Sequence, residues 1–193
     1  GVLIPRPETE ELVVWIDESI QNRTTLKMED WCTGSGCIAL ALKNRNKKAE
    51  VSGYDISEEA LEISQRNAQE LNLEVRFLKK DALNPLPEQQ VDVIVSNPPY
   101  IPWKEKEEMH LNVTEFEPDL ALFVPNDDPL LFYKSIANYA SQALLKDGLL
   151  FFELHENYAS ETKVMVEELG FSSVEIRTDL QGKQRMLKAQ WSV

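Results

Sequence analysis

Short strands alternate with helices along most of this chain, and that alternation constrains its fold more than any other feature. The sequence predicts strands near residues 26–32, 51–55, 75–78, 91–96, 149–154, 171–177 and 185–192, and helices near 8–22, 37–42, 57–71, 129–145 and 157–169. Such alternation is typical of βαβ units, which build a mostly parallel sheet with helices on both faces. The predicted class is therefore α/β, and ligands of such sheets bind at the carboxyl ends of the strands.

The length of 193 residues suits one domain with a single sizeable core. We predict one domain over 1–193, in which 1–22 form a leading loop and helix and 23–193 form the core that carries the site. A loop-rich stretch from about 97 to 128 contains five prolines and has room for a short helix. The first residue is glycine rather than methionine, which suggests a fragment of a longer protein.

The charge balance is strongly acidic, with 33 Asp and Glu against 20 Lys and Arg and a formal net charge of −13. A surface of this sign repels phosphate backbones at long range, so we expect no nucleic acid as the main partner. No apolar run reaches the roughly 20 residues that span a membrane, and no leader peptide is evident. Cys32 and Cys37 have no second ligand pair, which predicts small buried thiols in a reducing cytosol. His110 and His155 are too scattered for a metal cluster or a catalytic triad, so we expect surface or packing roles and no metal.

Three candidate binding features follow predicted strands. The first is the segment Asp30-Trp31-Cys32-Thr33-Gly34-Ser35-Gly36, which ends in a turn whose glycines permit positive φ and let a ligand approach the backbone. Asp55 ends the next strand, where a carboxylate can accept both ribose hydroxyls of an adenosine. Asp81 follows the third strand, where adenine could be read. Each signal is weak alone, because the turn also fits a dinucleotide-binding pattern, Asp55 could cap a helix and Asp81 could be a turn residue.

The most informative motif is Asn97-Pro98-Pro99-Tyr100, directly after the fourth predicted strand. Two prolines cannot extend a sheet, so the chain turns away at the strand end with a rigid backbone. We expect this rigidity to fix the carbonyl oxygen of Pro98 beside the side-chain oxygen of Asn97. Two adjacent acceptors suit one NH₂ group on a flat carbon, and Tyr100 offers an aromatic face for that group. An ordinary proline-rich turn is the alternative.

The chemistry of such a nitrogen explains why the acceptors are useful. An amide or aromatic amine nitrogen is a poor nucleophile because its lone pair is delocalised. Hydrogen bonds from its two N–H groups to Asn97 and Pro98 would hold it in line with the methyl group of a sulfonium donor and stabilise the positive charge that develops. This reaction needs no metal, and the proton can leave after transfer. The sequence therefore predicts methyl transfer from S-adenosylmethionine to a planar nitrogen.

The chain resembles a known family, the protein-(glutamine N5) methyltransferases of bacterial peptide-chain release factors, often called the HemK/PrmC family. The resemblance covers nearly the whole chain. Its motifs are Ile4-Pro5-Arg6-Pro7-Glu8-Thr9-Glu10, Thr33-Gly34-Ser35-Gly36-Cys37-Ile38-Ala39-Leu40, Asp55-Ile56-Ser57, Ser96-Asn97-Pro98-Pro99-Tyr100-Ile101-Pro102 and Glu117-Pro118. The first of these is far more specific than the Asn-Pro-Pro-Tyr motif, which many amino-methyltransferases share.

The resemblance implies a Rossmann-like class I S-adenosylmethionine-dependent methyltransferase, with a seven-stranded sheet whose last strand is antiparallel. It implies a cytoplasmic, monomeric enzyme that methylates the glutamine of a Gly-Gly-Gln loop in a release factor and leaves S-adenosylhomocysteine, with no direct nucleic-acid or membrane partner. The implied cofactor-binding residues are Cys32, Thr33, Gly34, Ser35, Gly36, Asp55, Ile56, Asp81, Ala82 and Asn97. The implied substrate-binding residues are Asn97, Pro98, Pro99, Tyr100, Glu117 and Pro118, the first four of which form the catalytic motif.

Three departures from the family pattern bear on function. Cys32 replaces a frequent glycine, which we expect to crowd the cofactor loop slightly. Glu153-Leu154-His155 stands where the family usually has Glu-Ile-Gly after the fifth strand. The family also has an N-terminal helical domain that helps to dock the release factor, and this sequence starts after it. We therefore expect cofactor binding with weakened recognition of the full protein substrate.

Three alternative functions can be weighed against this one. A methyltransferase acting on adenine N6 or guanine N2 would use the same Asn-Pro-Pro-Tyr motif, but the net charge of −13 and the lack of a basic stripe argue against it. A nicotinamide-dependent oxidoreductase would leave that motif without a role. A non-catalytic methyltransferase fold is disfavoured because Gly34, Gly36, Asp55 and Asn97 are all intact.

Overall fold

The helices and strands follow one another much as the alternation predicts. A computed structural model describes residues 6–21, 23, 25–108 and 118–192. Its α-helices are α1 (Pro7–Ser19), α2 (Cys37–Arg45), α3 (Glu58–Leu71), α4 (Asp119–Leu122), α5 (Leu131–Ala143) and α6 (Ala159–Glu168), and 3-10 helices cover Trp103–Glu108 and Glu156–Tyr158. Its strands are β1 (Lys27–Trp31), β2 (Glu50–Asp55), β3 (Arg76–Lys79), β4 (Val91–Ser96), β5 (Ile101–Pro102), β6 (Phe123–Val124), β7 (Leu144–Glu153), β8 (Ser172–Thr178) and β9 (Gln184–Gln190).

Seven of the strands form one sheet in the order β3-β2-β1-β4-β7-β9-β8. Strand β9 is antiparallel to both of its neighbours, and the other pairings are parallel. The predicted seven-stranded, mostly parallel sheet with an antiparallel last strand is therefore confirmed. The strand order changes direction between β1 and β4, and open α/β sheets bind their ligands at the carboxyl ends of the strands at such a switch point.

Helices cover both faces of the sheet because side chains along the central strands alternate between the faces. On β4, Val93 and Val95 point into the core formed with α1, α2 and α3, whereas Ile94 points into the core formed with α5 and α6. Phe151 and Phe152 of β7 divide in the same way. All five side chains are fully buried, as expected for central strands with both faces covered.

Helix α3 begins as the sequence predicts. The Ser57 hydroxyl oxygen accepts a hydrogen bond of 3.2 Å from the backbone N–H of Ala60, which satisfies one of the free donors at the helix start. The apolar spacing of Leu61, Ser64, Ala68 and Leu71 predicts that these four residues share the buried face of the helix. The first three are buried, but Leu71 is 59% exposed. The prediction for Leu71 was wrong because α3 packs over the outermost strand, β3, and its last turn extends past the core.

Other differences lie at element boundaries. The helix predicted to end at 145 ends at Ala143, and the strand predicted from Leu149 begins at Leu144. The register of β4 with β7 shifts between the pairs Val91–Leu144 and Val93–Leu149. The residues of β7 between Leu144 and Leu149 depart from the regular ladder, and one of them, Asp147, has a φ of 62°. In the loop-rich stretch the expected short helix is present as α4. Strands β5 and β6 also form a small parallel sheet there, which was not predicted.

Candidate active site

A cleft lies at the carboxyl edge of the sheet, where β1 and β4 are neighbours. Its volume is about 950 Å³ when the space open to solvent is included, a size that suits a small-molecule ligand. Residues from four strand ends and from the start of α4 come together in its wall. Nine of them are residues that the sequence singled out: Cys32, Gly34, Asp55, Ile56, Asp81, Ala82, Asn97, Pro99 and Pro118.

The two glycines of the turn after β1 serve different purposes. Gly34 and Gly36 both have positive φ, 54° and 81°. A Cβ atom at Gly34 would meet nothing within 4 Å, so this glycine leaves open space in the cleft wall. A Cβ atom at Gly36 would lie 2.9 Å from the ring of Phe77 and 3.0 Å from Ser64. Gly36 therefore permits close packing behind the turn and does not itself line the cleft.

Thr33 and Ser35 hold the turn in place and do not line the cleft. The backbone oxygen of Ser35 accepts from the Asn67 side chain at 2.9 Å. The Thr33 hydroxyl donates to Oδ2 of Asp30 at 2.5 Å, and the backbone N–H of Ala39 donates to the same oxygen at 3.2 Å. These contacts connect the end of β1, the turn, the first turn of α2 and the second half of α3.

Asp30, the first residue of the candidate segment around the turn, is a buried acid to which the sequence analysis assigned no role of its own. Its Oδ1 atom has no hydrogen-bond partner within the described part of the chain, and burial raises the pKa of Asp30 to about 7. Its carboxyl group anchors the glycine turn from behind.

Cys32 has a φ of 61°, in the left-handed region that glycine adopts most readily. Its side chain lines the cleft and is partly exposed, and Cys37 is partly exposed as well. The prediction that both thiols are buried was wrong, because Cys32 opens onto the cleft and Cys37 onto a surface groove beside Leu40. Desolvation still raises the pKa of the Cys32 thiol, and it raises the pKa of Cys37 to about 11. Both thiols are therefore protonated at neutral pH.

Two carboxylates reach the cleft from neighbouring strand ends. Asp55 accepts from the backbone N–H of Gly34 at 2.8 Å and from that of Ser57 at 2.9 Å, one bond to each oxygen. Asp81 accepts from the side chain of Asn84 at 2.7 Å. Because each carboxylate oxygen offers two lone-pair sites, both groups keep acceptor capacity for ligand hydroxyl or amino groups. The open space at Gly34 and the fixed carboxylate of Asp55 together fit an adenosyl ligand.

A narrower pocket of about 210 Å³, open space included, adjoins the cleft. It is lined by Arg6, Pro98, Tyr100, Ile101 and Leu122, and it shares Asn97 and Ala121 with the cleft. The Asn-Pro-Pro-Tyr motif is thereby divided, with Pro99 toward the cleft, Pro98 and Tyr100 toward the narrow pocket, and Asn97 on the wall between them. Glu117, a predicted substrate-binding residue, lies outside the described residues.

Tyr100 is more enclosed than the sequence suggested. Its ring is 8% exposed, and its hydroxyl donates to Oε1 of Glu153 at 3.3 Å. The Thr9 hydroxyl donates to the other oxygen of Glu153 at 2.7 Å. Burial raises the pKa of Glu153 and also that of Tyr100. The sequence reasoning missed the connection because Thr9 and Glu153 are 144 residues apart and only the fold brings them together.

In the described ranges, no group of three His, Cys, Asp or Glu side chains could hold a metal ion. Within the same ranges, none of the helices has the length and apolar character needed to cross a membrane.

Comparisons with known proteins agree with this geometry. Residues 12–115, just over half of the chain, match the family model described as the methyltransferase small domain. The release factor glutamine methyltransferase of Flavobacterium psychrophilum is 42% identical over 99% of this chain and 68% of its own length. The enzyme of the same name from Bacteroides thetaiotaomicron is 44% identical over 98% of this chain and 68% of its own length.

Solved structures show the same fold in more distant proteins. A SAM-dependent O-methyltransferase from Thermotoga maritima superposes with a TM-score of 0.73, and the match covers 100% of this chain and 68% of that one. The two sequences are only 16% identical, so this likeness establishes the fold and leaves the acceptor to be argued from the site.

Proposed function

This chain belongs to the release factor glutamine methyltransferase family, and we propose that it methylates the side-chain amide nitrogen (N5) of a glutamine in a release factor. It is an S-adenosylmethionine-dependent N-methyltransferase. The observation that carries the proposal is the position of Asn97, which lines both the cleft and the narrow pocket. The acceptor nitrogen occupies the narrow pocket, and the cofactor occupies the cleft.

S-adenosylmethionine, when bound, supplies a methyl group made electrophilic by its positively charged sulfur. The side-chain oxygen of Asn97 and the backbone oxygen of Pro98 accept hydrogen bonds from the two N–H groups of the acceptor amide. These bonds orient the nitrogen and strengthen as it becomes positive, which is where preorganised acceptors contribute most. Pro99 and Tyr100 complete the motif, the first by fixing the backbone and the second by closing the pocket.

The cofactor is held by residues from the first four strand ends. Asp55 would accept from the ribose hydroxyls, and Asp81, Ala82 and Ile56 would hold the adenine. Cys32 and Gly34 would bind the methionine part, and Asn97 would contact the cofactor from the acceptor side. Thr33, Ser35 and Gly36 act indirectly, by setting the shape of the turn. Thr33 does so through its hydrogen bond to Asp30, and Gly36 through its close packing against Phe77.

The acceptor glutamine belongs to the Gly-Gly-Gln loop of the factor, and Pro118, which lines the cleft, contributes to its binding. Glu117, which is outside the described residues, is the second residue proposed to bind the substrate. The net charge of −13 supports a protein substrate over a nucleic acid. Residues 1–193 act as a single methyltransferase domain, and we propose that it works as a monomer in the cytoplasm, where its substrate acts. No membrane partner is needed for this role.

The test compares three acceptors in the presence of radiolabelled S-adenosylmethionine: a purified release factor, the same factor with its Gly-Gly-Gln glutamine changed to alanine, and total RNA or duplex DNA. The proposal predicts labelling of the unmodified factor alone. Labelling of nucleic acid would instead favour a base methyltransferase acting on adenine N6 or guanine N2. Equal labelling of both factor proteins would move the acceptor away from that glutamine.

A further inference from the structure

His155 occupies a position beside the proposed acceptor pocket that the reaction described so far does not use. It lies two residues after the end of β7, at the place where the family pattern usually has glycine, and it is 8% exposed. Its Nε2 atom lies 3.0 Å from Oε2 of Glu105. Glu105 belongs to the 3-10 helix Trp103–Glu108, which continues directly from Ile101 of the pocket wall. The contact therefore joins the end of a central strand to the segment that follows the Asn-Pro-Pro-Tyr motif.

The hydrogen bonds of the ring fix its orientation. Nδ1 accepts from the backbone N–H of Asn157 at 3.2 Å, so the proton of the neutral imidazole is on Nε2 and is donated to Glu105. The backbone N–H of His155 donates to the Tyr133 hydroxyl at 3.2 Å. Both ring nitrogens and the main chain are thus engaged, and the ring has little freedom to turn.

The ring also packs against the catalytic motif. Its centroid lies 5.8 Å from that of Tyr100 at an interplanar angle of 82°, an edge-to-face contact. Tyr158 contacts the imidazole from another direction, with centroids 5.1 Å apart. Tyr100 is therefore held at two points, its hydroxyl by Glu153 and its ring by His155.

We propose that His155 is a positioning residue of the methyl-transfer site, which fixes Tyr100 and ties the Trp103–Glu108 helix to β7 through Glu105, so that the acceptor pocket is formed before the substrate binds. This inference rests on the proposed function, because the pocket it supports is the one assigned to the glutamine side chain. A glycine at this position can make neither the ring contact nor the bond to Glu105.

The position of the contact predicts which kinetic constant depends on it. Tyr100 lines the narrow pocket and does not line the cleft that is assigned to the cofactor, and neither His155 nor Glu105 lines that cleft. Loss of the contact should therefore raise KM for the glutamine substrate and leave the Kd of S-adenosylmethionine unchanged. A purely structural role would lower the folded fraction and so reduce kcat at constant KM.

Two substitutions separate the functions of the two ring nitrogens. His155→Asn keeps an acceptor near the place of Nδ1 and loses the donor to Glu105, whereas His155→Gln keeps a donor near the place of Nε2. Glu105→Ala removes the partner, and the double variant with His155→Asn completes a thermodynamic cycle. Steady-state methylation of the release factor and cofactor titration are measured for all four variants and the wild type, with thermal unfolding as a check on folding.

We expect His155→Asn to raise KM for the factor about tenfold, which corresponds to about 1.4 kcal/mol, and Glu105→Ala to raise it less, because that variant keeps the ring contact with Tyr100. The double variant should be no worse than His155→Asn, because the bond to Glu105 is already lost in that variant. His155→Gln, which restores the donor to Glu105 but not the ring, should lie between His155→Asn and the wild type. Additive effects in the cycle, or a fall in kcat with KM unchanged, would overturn the proposal. A wild-type chain that binds cofactor and labels no release factor would refute the proposed function instead.

Discussion

At the scale of single residues, Asn97 is central to the proposed function because it is the only member of its motif that lines both cavities. Asp55, by contrast, lines the cleft alone and is fixed by two backbone N–H groups. The proposal therefore assigns Asn97 to the acceptor and Asp55 to the cofactor.

Asn97→Ala should leave cofactor affinity nearly unchanged and lower kcat by about 10²–10³, the usual effect of removing one preorganised hydrogen-bonding group. Asp55→Ala should do the reverse and weaken cofactor binding first. Calorimetric titration with S-adenosylmethionine and single-turnover methylation give the two quantities for each variant. If affinity and turnover fall together in Asn97→Ala, the division of roles is wrong.

Gly34 and Gly36 should respond differently to the same change. Gly36→Ala places a Cβ atom 2.9 Å from Phe77, so we expect a loss of stability of about 1–3 kcal/mol from overpacking and positive φ. Gly34→Ala meets no protein atom and should lose only about 1–2 kcal/mol from its positive φ, while its methyl group occupies cleft space and weakens cofactor binding. Urea unfolding and cofactor titration measure both effects. Stronger destabilisation at Gly34 than at Gly36 would contradict this assignment.

Sequence reasoning located the residues at the strand ends but not those behind them. Asp55 and Asn97 were predicted because a strand end in an α/β sheet faces the ligand, and their chemistry is visible in the residue type. Asp30 and Glu153 act from inside the fold, and nothing in a local pattern distinguishes a buried acid from an exposed one. Gly36 was assigned to the cofactor because a glycine motif does not reveal whether the missing side chain leaves space for a ligand or for a phenylalanine ring.

At the scale of elements, β1, its turn and α2 form a unit held by the Asp30 carboxyl group. In the folded state the pKa of Asp30 is about 7, against 3.8 for a free side chain. The folded protein therefore binds more protons than the unfolded one between these values, and stability falls as pH rises through that window. The pH dependence is the opposite of that given by an acid in a salt bridge, whose pKa is lowered.

Asp30→Asn removes this titration while keeping an oxygen that can accept from Thr33 and Ala39. Relative to the variant, the wild type should lose at most about 4 kcal/mol of unfolding free energy as pH rises from about 4 to about 7. Denaturant unfolding of both proteins across that range measures the difference. Parallel pH profiles would show that Asp30 is ionised in the folded protein.

Element boundaries were predictable where one local signal dominates. Strand β4 was predicted with its observed bounds because its residues are apolar except for Asp92 and Ser96, and the helix predicted from 57 begins at Glu58, directly after the Ser57 cap. The start of β7 at Leu144 was missed because its first residues are exposed and irregular, and an irregular ladder has no period of two to detect. Strands β5 and β6 have two residues each, which is too short for any sequence period.

At the scale of the whole molecule, Glu153 connects two segments that are far apart in the sequence. Thr9 of α1 and Tyr100 of the catalytic motif both donate to its carboxyl group, each from a different region of the chain. Glu153 is 2% exposed, so a lost donor cannot be replaced readily by water. The leading helix is thereby tied to the acceptor pocket.

Thr9→Val should reduce stability by about 1–3 kcal/mol, the cost of leaving a buried acceptor unpaired, and should also raise KM for the release factor as Tyr100 loosens. Thr9→Ser keeps the hydroxyl and serves as the matched control. Thermal unfolding and methylation kinetics are compared for both. A normal KM in a destabilised Thr9→Val protein would show that this hydrogen bond contributes to folding and not to substrate binding.

The measurement that tests the central claim most directly is the location of the transferred methyl group. The chain is incubated with S-adenosylmethionine and a release factor, and the recovered factor is digested and sequenced by fragmentation mass spectrometry. We predict a single methyl group on the side-chain amide of the Gly-Gly-Gln glutamine, lost when Asn97 is changed to alanine. A methyl group on any other residue, or an unmodified factor beside an enzyme that binds its cofactor, would contradict the assignment of the narrow pocket to glutamine.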